Sequence, residues 1–145
     1  MDRIYSPDVY VADTLTGKGR GVFAGRDYRA GEVVEVSPAI VLEKEAVALL
    51  RDTLLRTYDF DWQVLANTNT PATAIAAGYG GMYNHSDPAN MRYHADPLAV
   101  TLIFTAVRDI RRDEQLTINY NARGGGHVWH DDNWFEREDI KLTGD

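Results

Sequence analysis

A chain of 145 residues, 44% apolar and without cysteine, is long enough for one core and has no means of forming disulfides, thiolate metal sites or thiol nucleophiles, so its chemistry must rest on oxygen and imidazole groups. The formal charge is -7, from 15 Lys and Arg against 22 Asp and Glu. This balance argues against direct nucleic-acid binding, whose phosphates demand clustered cations, and favours a basic peptide or protein as partner.

The opening "MDRIYSPDVY" has no apolar leader. The longest mainly apolar run, "LAVTLIFTAV" at 98–107, is too short and too Thr-rich to cross a bilayer. The expectation is an intracellular, cytoplasmic protein without membrane contact; delivery to another cell's chromatin is compatible with the same sequence. Glycine and proline divide the chain into short pieces, with no repeat or linker, so residues 1–145 read as a single domain.

In chain order, "VYVAD" (9–13), "GVFAG" (21–25) and "EVVEVSPAIVL" (32–42) are rich in β-branched and aromatic residues and bounded by turn formers, which predicts strands. In "EKEAVALLRDTLLRTY" (43–58), Val47, Leu50, Leu54 and Tyr58 recur at three- and four-residue steps behind an acidic first turn, which predicts one amphipathic helix. "YDFDW" (58–62) is an aromatic cluster, and residues 66–81 read as a loop with a helical turn around 72–77. Strands follow at 98–107 and 116–120. The class is mainly β.

Four stretches compete as carriers of chemistry. "TGKGRGVFAG" places Gly17, Gly19 and Gly21 before a strand, which lets a ligand approach the backbone but lacks the strand-glycine-helix order of a dinucleotide site. "MYNHSDPAN" (82–90) sets Asn84, His85 and Ser86 in a polar row after an apolar approach. Neighbouring His85 and Ser86 diverge from a shared backbone and make a poor base and nucleophile pair. "DEQLTINYN" (113–121) ends a strand on Tyr120. "GGGHVWHDDNWF" holds His127 and His130 behind three glycines. That is a weak metal signal, because the remaining histidines, His85 and His94, are remote in sequence, so no metal site is assigned. His94 reads as a surface histidine.

Taken together, "GKGRGVFAGRDYRAGEVV", "YNHSDPAN" and "RDIRRDEQLTINY" resemble, in order, the signature blocks of SET-domain protein-lysine methyltransferases. The likeness is to the compact bacterial and viral kind without cysteine-rich zinc flanks. The resemblance implies a SET β-fold of several small curled sheets, in which the segment leading to Tyr120 crosses the chain near 82–90 in a thread-like arrangement. It implies S-adenosylmethionine as methyl donor. Backbone groups of Lys18, Gly19 and Arg20 would cradle its methionine part, Tyr83, Asn84 and His85 would form the cofactor floor, and Trp134 (Trp129 in reserve) would cover the adenine. Residues 121–145 would be an acidic segment completing that site; six acids against Arg137 and Lys141 in 127–145 otherwise read as a solvated tail.

Tyr120 would be the central catalytic residue. A free lysine has a pKa near 10.4, so about one in 2,500 is neutral at pH 7, a handicap of roughly 4 to 5 kcal/mol. A dry channel next to a sulfonium removes that proton by disfavouring the ammonium. The expected activity is methyl transfer to a lysine of a Lys/Arg-rich protein or peptide. The rival is a non-catalytic SET-fold module that binds a basic partner, and the assembly state is open, a homodimer included.

The sequence departs from the family pattern in places. Gly81 stands for a frequent arginine, Asp87 for a frequent cysteine, Ala89-Asn90 for Pro-Asn, and Asp113, Gln115 and Asn119 for Gly, Glu and Asp. "YDFDW" either lines a lysine channel or closes the core.

Overall fold

The computed structural model describes residues 3–17, 19–50 and 52–120. Among these residues, nine strands are joined by turns and short helical pieces. They are β1 (Val9–Asp13), β2 (Arg20–Ala24), β3 (Val33–Glu43), β4 (Asp59–Asp61), β5 (Ala72–Ala76), β6 (Asn84–His85), β7 (Met91–Asp96), β8 (Thr101–Ala106) and β9 (Gln115–Ile118). A four-stranded sheet has the order β1-β2-β9-β6 and a five-stranded sheet the order β4-β5-β3-β8-β7. All pairings are antiparallel except β6 with β9.

The 11-residue β3 organises the larger sheet. Its first half pairs with β8 from Val33 to Pro38, and its second half with β5 from Ala39 to Glu43. Proline has no N–H for a ladder, and Pro38 falls at the changeover. The register also slips near the start of β3: Val33 faces Thr105 and Glu35 faces Phe104, so Val34 is an extra residue. Such a bulge re-aims the side chains after it, and here Val34 and Glu35 are buried in succession.

The core takes Val22, Ala24, Leu116 and Ile118 from the smaller sheet, and Phe60, Ala74, Tyr93, Leu102 and Phe104 from the larger. Tyr83 is buried on the approach to β6, its ring centroid 4.8 Å from that of Phe104. Phe60 meets Tyr93 and Phe104 edge-on, at 5.2 and 6.1 Å. Rings of this size each bury about 150–250 Å2, worth about 4 to 6 kcal/mol at roughly 25 cal/mol per Å2 before the cost of ordering them.

Two sequence expectations are corrected. The single helix over 43–58 is instead α1 (Lys44–Leu50) followed by a 3-10 turn, Leu54–Thr57. Thr53 is extended, at φ -111 and ψ 162, and its hydroxyl donates to the Leu50 carbonyl at 2.7 Å. A threonine that offers the backbone a local alternative breaks a helix at its own position. The helical turn expected around 72–77 is the strand β5, which lies between β3 and β4. Pairing on both edges outweighs the helix preference of its alanines.

Candidate active site

The polar row at 84–86 and the strand that ends at Tyr120 come together. Asn84 and His85 form β6 and pair with Thr117 and Ile118 of β9. The Ser86 amide continues the ladder to the Ile118 carbonyl at 3.1 Å. The chain then turns, with the Ser86 hydroxyl donating to the Pro88 carbonyl at 3.0 Å. It returns to β9 through Asn90, whose side chain donates to the Gln115 carbonyl at 2.7 Å and accepts from the Thr117 amide at 2.9 Å. Residues 84–90 are thus bonded to β9 at both ends, the interlacing that the resemblance implied.

Tyr120 is held on two sides. Its amide donates to His85 Nδ1 at 3.1 Å, and its hydroxyl donates to the Tyr83 carbonyl oxygen at 3.0 Å. The imidazole of His85, only 6% exposed, lies tilted against the phenol ring with centroids 5.2 Å apart. Burial raises the Tyr120 phenol above its ordinary range and nearby Tyr58 adds to the effect, so the group remains a neutral hydroxyl at physiological pH.

Asn84 joins this cluster to the glycine turn. Its amide nitrogen donates at 3.0 Å both to the Arg20 carbonyl and to Gln115 Oε1. With both amide protons engaged, Oδ1 is left as an acceptor. Gly21 makes the approach feasible: a Cβ there would stand 2.5 Å from Gln115 Oε1 and 3.1 Å from Asn84 Nδ2. Gly19, at φ +87, has open space where a Cβ would be, while its carbonyl is bonded by the amide and hydroxyl of Thr14 at 2.9 and 2.8 Å.

These features suit the amino-acid end of S-adenosylmethionine. A bare backbone at Gly19 admits close approach, and the free Asn84 Oδ1 is an acceptor for an ammonium group. Gly19, Arg20, Tyr83, Asn84, His85 and Tyr120 therefore occupy one region through the bonds just described. Lys18, Trp129, Trp134, His127 and His130 lie outside the described residues, as does the whole 121–145 segment.

The aromatic cluster at 58–62 divides. Phe60 and Trp62 are buried in the core, whereas Tyr58 is 42% exposed. A Cβ at Gly81 would lie 3.9 Å from Tyr58 Cδ1, so this glycine is faced by the Tyr58 ring. His94 is exposed on β7, as expected.

Three contributors were not singled out from the sequence as site residues. Gln115 appeared only as a departure from the family pattern, and Gly21 only as part of a glycine turn. Glu35 was missed altogether; its signal was one acid inside the otherwise apolar "VVEV" of a strand. Burial raises its carboxyl above the usual range, with bonds from Tyr83 and Tyr79 acting against that.

The SET domain family matches residues 19–121, and the chain belongs to that family. A Schizosaccharomyces pombe protein named histone-lysine N-methyltransferase, H3 lysine-37 specific, is 30% identical over 116 residues, which is 79% of this chain and 72% of the relative. The N-lysine methyltransferase KMT5A of Xenopus tropicalis is 33% identical over 119 residues, 77% of this chain and 35% of that protein. Among solved structures, the Neurospora SET domain protein DIM-5 has a TM-score of 0.64 at 20% identity, covering 81% of this chain and 54% of that one. The Cryptosporidium protein CpSET8 also has a TM-score of 0.64, at 23% identity, covering 81% of this chain and 59% of that one. Both share the mainly β fold of small curled sheets.

Proposed function

We propose that this chain is a protein-lysine N-methyltransferase that uses S-adenosylmethionine, with Tyr120 as the catalytic residue. The observation that carries the reading is the placement of the Tyr120 hydroxyl on the Tyr83 carbonyl, beside His85 and Asn84. Membership of the SET-domain family and relatives named as histone-lysine and N-lysine methyltransferases support it.

When bound, S-adenosylmethionine supplies a methyl group on a sulfonium, open to in-line displacement by a neutral amine. Gly19, Arg20, Tyr83, Asn84 and His85 form its binding surface: open backbone at Gly19, the free amide oxygen of Asn84, and a wall made of the buried His85 ring and the Tyr83 backbone. Lys18 and Trp134 keep the roles that the family resemblance gives them, outside the described residues.

Tyr120 and Tyr58 provide the lysine end. Two phenols, one partly buried and one at the rim, disfavour an ammonium by excluding water and shift a bound lysine toward its neutral form. The Tyr120 hydroxyl, held by a fixed carbonyl, is a preorganised dipole at the reacting centre. The substrate is a Lys/Arg-rich protein segment. It lies along β4, an edge strand that begins one residue after Tyr58, in the strand-addition mode of peptide binding.

The test is incubation with methyl-labelled S-adenosylmethionine and a mixture of basic proteins, with mass spectrometry to locate the label. Methyl on lysine ε-nitrogen is the expected result, unaffected by chelators. Tight binding of basic peptides with no label transferred would instead indicate a binding module, and activity abolished by chelation would indicate metal chemistry.

A further inference from the structure

Glu35 is the only fully buried acid among the described residues, at 3% exposure. No cation pairs with it there. An isolated buried carboxylate is expensive, and an apolar residue of similar size is often no worse for stability. Its presence in a strand core therefore calls for a reason beyond packing.

Both of its oxygens are used, and both on the same short segment. Oε1 accepts from the Tyr83 hydroxyl at 2.6 Å, and Oε2 accepts from the Tyr79 amide at 2.9 Å. Between those two residues runs the 3-10 turn Gly80–Met82 that leads into β6. The surroundings are shaped to receive the carboxylate. The extra residue at Val34 turns Glu35 inward, and Gly78, at φ +83, lies where a Cβ would stand 2.8 Å from Oε2, so a side chain at 78 would meet both strain and the carboxylate.

Tyr83 is thereby gripped at both ends. Its phenol is fixed by Glu35, and its backbone carbonyl carries the Tyr120 hydroxyl at 3.0 Å. We propose that Glu35 is a positioning residue for methyl transfer, holding the Tyr83 phenol and the Tyr79 amide so that the Tyr83 carbonyl seats the Tyr120 hydroxyl. The inference rests on the methyltransferase reading above and extends it to a side chain that touches neither substrate nor cofactor. A carbonyl free to drift by an ångström would leave Tyr120 with an unfixed hydroxyl, and small misplacements of this kind are costly in transfer reactions.

A merely structural tie predicts a different outcome from a positioning one, and a double-mutant cycle separates them. Tyr83→Phe removes a single oxygen. It should slow single-turnover transfer at saturating cofactor about tenfold, the effect of about 1.4 kcal/mol on the barrier, while peptide KM changes less than about twofold. Adding Tyr83→Phe to Tyr120→Phe should cost little further, because the two act through one hydroxyl. Glu35→Gln should retain most of the wild-type rate, since its amide can accept from Tyr79 and donate to the Tyr83 oxygen. In protein with 13C-labelled tyrosine, the Tyr120 ring signal should move in Tyr83→Phe and in Glu35→Leu.

If the wild-type protein transfers methyl while the losses in the cycle are additive, or Tyr83→Phe keeps its full rate, the inference is overturned and the methyltransferase reading stands. If the wild-type protein transfers none, that reading fails and the role in methyl transfer falls with it; the spectrum then decides only the tie from Glu35 to Tyr120, which an unmoved Tyr120 signal in Tyr83→Phe overturns and a moved one supports. Tyr83→Phe serves both readouts should Glu35→Leu not fold.

Discussion

The hydroxyl of Tyr120 rests on the carbonyl oxygen of Tyr83 at 3.0 Å, while the amide of the same tyrosine donates to His85 Nδ1 at 3.1 Å. Residues at the far end of the described chain are thus locked to two positions flanking Asn84. The arrangement depends on parallel pairing of β6 with β9, and its consequences can be measured separately.

Asn84→Ala removes two hydrogen bonds, to the Arg20 carbonyl and to Gln115, together with the acceptor oxygen assigned to the cofactor. Stability should fall by about 1 to 3 kcal/mol, at roughly 0.5 to 1.5 for each bond. Affinity for S-adenosylhomocysteine, measured by calorimetry, should fall by about tenfold or more, a cost in the range of a charge-assisted bond. Unchanged affinity in a folded variant would remove Asn84 from the binding surface.

Gly21→Ala tests the same junction from the other side. The added methyl would meet Gln115 Oε1 at 2.5 Å. That oxygen is the far end of a flexible side chain and can swing away, so the melting temperature should change little. Its bond to Asn84 should be lost in the process, and cofactor affinity should drop several-fold. A large loss of stability with intact binding would mean that the strand, not the junction, is what the glycine serves.

How much of this was legible in the sequence follows from the range over which each signal acts. β1, β2, β3 and β9 were readable within a residue or two because their β-branched runs are bounded by turn formers. β8 was readable in its core, but the 98–100 end of the predicted run is a turn, with Val100 at φ 53. β7 alternates buried Met91 and Tyr93 with exposed Arg92 and His94, a period-2 pattern that could have been read and was not. β5, "ATAIA", could not: its identity comes from the strands on either side. The site shows the same division. Asn84, His85 and Tyr120 stand out as polar groups in conspicuous places, whereas Glu35 acquires its role only through a bulge and a partner 48 positions away.

The Glu35 carboxyl also has a pH signature. Burial raises it in the folded chain, while in the unfolded chain it titrates near the ordinary value of about 4.3. Between those two values the folded state holds the proton and the unfolded state does not, so stability falls as pH rises. The contribution is fully present below the unfolded value and is lost as pH passes through the folded one. Glu35→Gln abolishes this dependence. Urea midpoints taken at steps upward from about pH 4 should therefore show the variant gaining on the wild-type protein. A constant difference across the range would mean that the buried carboxyl titrates as it does in the unfolded chain.

The most direct test of the whole account is single-turnover methyl transfer by the wild-type protein and by Tyr120→Phe, at saturating S-adenosylmethionine and with the basic protein that the wild-type chain labels best. Loss of one preorganised dipole at the reacting centre should lower the rate about 100-fold or more, while cofactor affinity stays within about twofold. A Tyr120→Phe protein that transfers methyl to lysine at the wild-type rate would contradict the assignment of Tyr120 and the site built around it.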